Sequence, residues 1–166
     1  MNNWTSQPGP NLRTDVFDVY IFRGVESGAE VLQLRRVESP LLHTWQPVMG
    51  HIEGNESTPA ARWREVEEEV GLVRSQVVAA SALEGVHPFY LASRDAILLS
   101  VRFAIEVAPD WAPRLNHEHD AARWVPLADI RSSFKWPGQI AAIEELRDCI
   151  LNPGSLALEH LRLPAN

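Results

Sequence analysis

The stretch GHIEGNESTPAARWREVEEEVGL, residues 50–72, divides into a loop and a helix. Gly50 to Ser57 has loop composition. Thr58-Pro59 then provides a helix start, with Thr58 as N-cap and Pro59 in the first helical position. The helix runs to Val70 and stops at Gly71, a residue suited to the left-handed C-terminal position. Within it, Glu65, Glu68 and Glu69 are spaced i, i+3, i+4 and lie within about 60° of Glu65 on one face, while Glu67 falls roughly 200° away. Like charges so placed repel by a few tenths of a kcal/mol per pair. A bare run of glutamates also fits a solvated helix face, but a hard divalent cation with oxygen ligands would offset the repulsion. Trp63, Val66 and Val70 form the opposite, apolar face and anchor the helix on a sheet, which turns the carboxylates toward the preceding loop. Arg64 lies beside Glu68 and can hold the cluster by charge-assisted hydrogen bonds.

Outward from this segment the chain alternates strands and helices. Asp15 to Arg23 is rich in β-branched and aromatic residues and reads as a strand. Gly24 to Gly28 reads as a turn, and Glu30 to Val37 alternates apolar and polar residues as a half-buried strand, pairing with the first as a hairpin. Ser39 to Thr44 connects to a short extended piece, Trp45 to Met49. Ser75 to Leu83 and Ala96 to Val107 are further strands, the second long enough for a sheet centre. Arg123 to Pro126 is a short strand. Trp136-Pro137-Gly138 opens a last helix, Gln139 to Leu151, with Ile140, Ile143, Leu146 and Ile150 as its apolar stripe. The order predicts an α/β chain, a mixed sheet with helices on its faces. Met1 to Leu12 is predicted to be a loose arm, and residues 13–166 one domain.

The composition sets limits on function. The 166 residues are 45% hydrophobic, enough for one ordinary core, and carry a net charge of −7. No apolar run is long enough for a membrane span, and the polar start lacks a signal pattern, so a soluble, cytoplasmic protein is expected. The acidic balance argues against long nucleic acid as a partner. It also means that a polyphosphate substrate would need cations to mediate its binding. Cys149 is the single cysteine, which excludes an intramolecular disulfide and suits a small buried apolar side chain.

Taken at fixed spacing, the central stretch runs Gly50, five residues, Glu56, seven residues, Arg64-Glu65-Val66, one residue, Glu68-Glu69, one residue, Gly71-Leu72. This resembles the complete Nudix box of the MutT-like Nudix hydrolases. The resemblance implies an α/β/α sandwich around a central mixed sheet, and a Mg²⁺-dependent hydrolase of phosphoanhydride bonds, with Mn²⁺ as a substitute. It implies Glu68 and Glu69 as metal ligands, Glu65 as ligand or general base, and Gly50 as a carbonyl donor to the metal. Arg64 resembles the arginine that orients the glutamates, and Glu56 the orienting loop glutamate. Homodimers are common among such enzymes.

Outside the box, Asn116 to Asp120 reads NHEHD. A polar loop and a zinc site are alternatives there, the latter lacking a third ligand. Within the family resemblance, Glu118 stands where a further metal ligand or base is supplied. The lead Trp45-Gln46-Pro47-Val48-Met49-Gly50, the pair Glu118-His119 before Trp124, and Trp136 are similar to the dihydroneopterin triphosphate (dATP) pyrophosphohydrolases. The His-Glu-His of residues 117–119 is also similar to the asymmetrical diadenosine tetraphosphate hydrolases. Gly85 to Asp95 looks short for a pterin-specific loop. The implied partner is a small nucleotide or pterin polyphosphate. Candidate substrate contacts are Arg36 for phosphate, Lys135 and Trp136 for phosphate or base, and His87 and Tyr90 for a base pocket. A non-catalytic nucleotide sensor is the reading of another class, and the intact glutamates argue against it.

Overall fold

The computed structural model describes residues 9–25, 28–39 and 41–164. Most of the expected arm, part of the Gly24–Gly28 turn and Pro40 lie outside the described residues. The first strand, β1 (Asn11–Arg23), starts four residues earlier than its β-branched segment suggested, so Asn11 and Leu12 belong to the sheet. Its apolar residues alternate between two cores, as the two-residue period of a strand requires. Phe17, Val19 and Ile21 enter one cluster, while Tyr20 and Phe22 enter the other.

β1 and β2 (Glu30–Arg36) do form an antiparallel pair, but only at Phe22↔Val31 and Arg23↔Glu30 before they diverge. The wedge is filled by β3 (Trp45–Gln46), which pairs with β2, and β4 (Val48–His51), which pairs with β1. Helix α1 (Thr58–Val70) follows with the predicted bounds. Its N-cap is Ser57, whose hydroxyl accepts from the Ala60 N–H, rather than Thr58. Gly71 closes it at φ 66°, its N–H donating to the Glu67 carbonyl.

β5 (Val77–Ala82) is shorter than predicted because Arg74–Gln76 forms a 3₁₀ turn. β6 (His87–Leu91), read from sequence as loop, pairs with β7 (Ala96–Val107). β7 is central, parallel to β1 and antiparallel to β5 and β6. β8 (His119–Pro126) pairs with β2 and begins four residues before the predicted strand. The chain then makes a single helical turn, α2 (Ile130–Ser133), and α3 (Pro137–Glu145), which continues through a π-helical turn at Leu146–Ile150. A last turn, α4 (Leu158–Leu161), follows.

The eight strands form one mixed sheet. Ala61, Val66 and Val70 of α1 pack on one face with Leu32, Leu34 and Ile105. Phe134, Ala142, Ile143 and Leu146 pack on the other with Tyr20, Val31 and Val125. This is the α/β/α sandwich. Of the predicted stripe, Ile143 and Leu146 are fully buried, and Ile140 and Ile150 are partly so. Trp111 is buried in the α1-side core, edge-on to Trp124 at 6.2 Å. No described helix is long and apolar enough to cross a membrane.

Candidate active site

The site is built where α1 crosses β4. Gly50 is opposite Phe17 in the β1–β4 ladder, and the Glu65 side chain lies directly over it. A Cβ at Gly50 would stand 2.6 Å from Phe17 Cζ and 2.8 Å from Glu65 Cδ, with Glu65 Cγ nearer still. The position requires glycine for close approach, since real Cβ atoms do not come within such distances.

Arg64 joins the loop to the helix. It donates from Nη2 to Glu56 Oε1 at 2.7 Å and to the His51 carbonyl at 2.9 Å, and from Nε to Glu56 Oε2 at 3.3 Å. Its Nη1 reaches Glu65 Oε1 at 3.0 Å and Glu68 Oε2 at 3.5 Å. Glu56 also accepts from the Glu53 N–H at 2.8 Å. The bond from Arg64 holds Glu56 below the usual carboxylate range, and the same bond raises the Arg64 guanidinium above its ordinary value.

The three helical glutamates are not alike. Glu68 is 58% exposed at its side chain. Glu69, expected on a face turned from the packing, is 3% exposed and lies inward. Burial, then the neighbouring Glu65 and Glu118 carboxylates, pushes Glu69 up to about 9, against Arg36 and a backbone hydrogen bond at Met49. Its Oε2 is buried without a hydrogen-bond partner. His119 Nδ1 stands 3.8 Å away. Burial, followed by Arg36, pushes His119 down to about 4.

Glu118 is held beside α1 by its own loop. The Arg114 and Asn116 N–H groups donate to the Val70 and Glu69 carbonyls at 2.9 and 3.2 Å, using acceptors that the helix end leaves open. Asn116 Oδ1 accepts from the Glu118 N–H, and the Glu118 carbonyl accepts from Val37 N–H. Arg36 Nη1 stands 3.8 Å from Glu118 Oε2. The structure thus brings Gly50, Glu56, Arg64, Glu65, Glu68, Glu69, Glu118 and Arg36 to one corner.

The other candidates lie apart from this corner. Lys135 stands over the Trp136 ring at 5.0 Å, and Trp136 is 44% exposed before α3 on the opposite sheet face. His87 stacks with Phe89 and lies against Gly138. Tyr90 is exposed at the Ile97 end of β7, its hydroxyl donating to Asp95. Sequence reasoning missed the burial of His119 and Arg62. His119 carried only its place in the His-Glu-His. Arg62 lies against the Phe103 and Trp63 rings at 4.9 and 4.5 Å, and burial lowers it to about 10.

By their chemistry, the carboxylates of Glu65, Glu68, Glu69 and Glu118 and the Gly50 carbonyl are oxygens that could hold a hard divalent cation, and one buried Glu69 oxygen is unpartnered. As placed, no three His, Cys, Asp or Glu side chains among the described residues converge at metal-holding distances. Arg64 Nη1 instead lies between Glu65 and Glu68, as their counter-charge.

A family model described as NUDIX domain matches residues 12–146. The fold is similar to an Ap4A hydrolase binary complex from C. elegans, with a TM-score of 0.67 at 19% identity, covering 81% of this chain and 95% of that one. It is similar to the dihydroneopterin triphosphate pyrophosphohydrolase of E. coli, with a TM-score of 0.66 at 23% identity, covering 80% and 96%. At these identities the likeness is one of fold. A curated protein called octanoyltransferase, from Myxococcus xanthus, is 38% identical over 120 residues, which is 71% of this chain. The chain spans about a third of that protein's length, 32%.

Proposed function

Because this chain belongs to the NUDIX domain family, we propose that it is a divalent-cation-dependent pyrophosphohydrolase that splits a phosphoanhydride in a nucleoside or pterin triphosphate. The observation that carries the reading is the corner itself, where Arg64 binds Glu56, Glu65 and Glu68, Gly50 underlies Glu65, and the Asn116 loop holds Glu118 beside the end of α1 and the buried Glu69. Glu65, Glu68, Glu69 and Glu118, with the Gly50 carbonyl, would hold Mg²⁺ or Mn²⁺. Such ions neutralise charge on phosphate oxygens and lower the pKa of a bound water.

The chain's own residues supply the rest. Gly50 leaves room for Glu65 to lie over β4. Arg64 fixes Glu56 and holds Glu65 and Glu68 by charge until a cation draws them together. On this reading Arg36, which stands 3.8 Å from Glu118, meets a phosphate, and Glu65 or Glu118 accepts a proton from the attacking water.

Dihydroneopterin triphosphate or dATP is the favoured substrate, from the Trp45–Gly50 lead and the Glu118-His119 pair. Diadenosine tetraphosphate is the second reading. Gly85 to Asp95 is folded onto β7 as β6 and a 3₁₀ turn, and this leaves no free loop there to close over a pterin.

The test is a hydrolysis panel with Mg²⁺ over dihydroneopterin triphosphate, dATP, diadenosine tetraphosphate, ADP-ribose and NADH, with products separated by chromatography. Pyrophosphate plus a monophosphate from either of the first two supports the favoured substrate. ATP from the third supports the second reading. Tight binding of a panel member without turnover of any would replace both with a nucleotide sensor.

A further inference from the structure

His119 occupies its place through an irregularity in the sheet. Along β8, Ala122 and Trp124 face the α1 side, while Ala121, Arg123 and Val125 face the other. Strict alternation would put Asp120 on the α1 side and His119 away from it. The β2–β8 register instead shifts between Arg35 and Arg36, so that Ala121 is opposite Arg35 and His119 opposite Arg36. Asp120 is the extra residue, and its carboxylate accepts from Arg35 at 2.7 and 2.9 Å. A bulge of this kind re-aims a side chain. Here it delivers the imidazole to Glu69.

The delivered side chain has no solvent exposure, and neither ring nitrogen has a hydrogen-bond partner. A buried polar group left so is costly, and an apolar ring would fill the same space without that cost. Glu69 Oε2, itself unpartnered, stands 3.8 Å from Nδ1.

We propose that His119 is a positioning residue, whose Nδ1–H closes on Glu69 Oε2 and turns the carboxylate toward Glu65 and Glu118. The assignment rests on the reading of Glu69 as a metal ligand. It gives His119 the part of an outer-shell partner, which orients a ligand without touching the ion.

The test separates the ring's shape from its donor. Mn²⁺ binding to the full chain is followed by electron paramagnetic resonance for wild type and for His119→Phe, His119→Gln and His119→Asn. Asn keeps an N–H where Nδ1 stands, whereas the longer Gln side chain carries its amide to the level of Nε2. Expected is Mn²⁺ affinity 10- to 100-fold weaker for Phe and Gln, near-wild-type affinity for Asn, and no loss of metal-free melting temperature for Phe. Wild-type affinity in the Phe variant overturns the inference alone. Absence of Mn²⁺ binding in wild type overturns the metal reading and this inference with it. ¹⁵N shifts of the metal-free wild type give a check independent of any variant. An Nδ1–H tautomer is expected, and an Nε2–H tautomer overturns the assignment.

Discussion

Replacing Gly50 with alanine adds one methyl group where two side chains already lie. The new Cβ would be 2.6 Å from Phe17 Cζ and 2.8 Å from Glu65 Cδ. Phe17 is buried and packed edge-on against Phe103, with ring centroids 6.4 Å apart, so its ring has little room to withdraw. Glu65 can withdraw by rotating, at the loss of its 3.0 Å contact with Arg64. That route is cheaper than moving the core, so the stability cost falls at the low end of the overpacking range, about 1 kcal/mol. For a chain of this size that is roughly 2–4 °C in melting temperature. The functional cost is larger, because a ligand or base displaced by about 1 Å lowers turnover on the order of 10²-fold. Gly50→Ala, assayed by calorimetry and by steady-state hydrolysis, is therefore expected to be nearly as stable as wild type and far less active. Adding Phe17→Leu should change stability again but leave turnover low, since Glu65 stays displaced. A Gly50→Ala enzyme with wild-type turnover would refute the argument that this glycine exists to make room for Glu65.

Glu68→Gln should reduce turnover more than tenfold under saturating Mg²⁺, over about 1.4 kcal/mol of barrier. It should barely change melting, because Glu68 is mostly exposed and its 3.5 Å contact with Arg64 is of the surface kind; a variant retaining a tenth or more of the rate would remove Glu68 from the ligand set. Asp18 is buried, and burial raises it to about 6 against the pull of Arg102, Ser100 and Tyr20. A carboxyl raised in the folded state contributes stability that is full below its ordinary value of 3.8 and lost as pH rises through about 6. The melting temperature of Asp18→Asn relative to wild type should therefore climb between about pH 4 and 6 and level off above. A difference that stays flat across this window would show that the Asp18 carboxyl is not raised.

The long, periodic elements were legible in the sequence. The bounds of α1 followed from Pro59 and Gly71, and β7 followed from an uninterrupted run of strand formers. The acidic run alone also fits a solvated helix face; its fixed spacing from Gly50, Glu56 and Arg64 is what singled out this corner in the sequence. Parity was harder to read. The burial of Glu69 depends on which way α1 leans against β8, and His119 reaches it only through a one-residue bulge that alternation cannot reveal. β6 was missed because Pro88 and the neighbouring turn residues outweigh Phe89 and Tyr90, while its pairing with β7 is a long-range event. The cap passed from Thr58 to Ser57 because both hydroxyl residues suit the role, and only the first hydrogen bond separates them.

The loop that carries Glu118 is clasped to the last carbonyls of α1 through Arg114 and Asn116, and to Val37, the residue after β2. Two segments almost fifty positions apart in the chain are therefore tied to each other. Lengthening that loop, or shortening it, would shift two carboxylates together rather than one. On the proposed function, this ties the evolution of the carboxylate corner to two segments at once. Adaptation to a different attached group would then fall to β6 and the approach to α3, which lie outside the clasp.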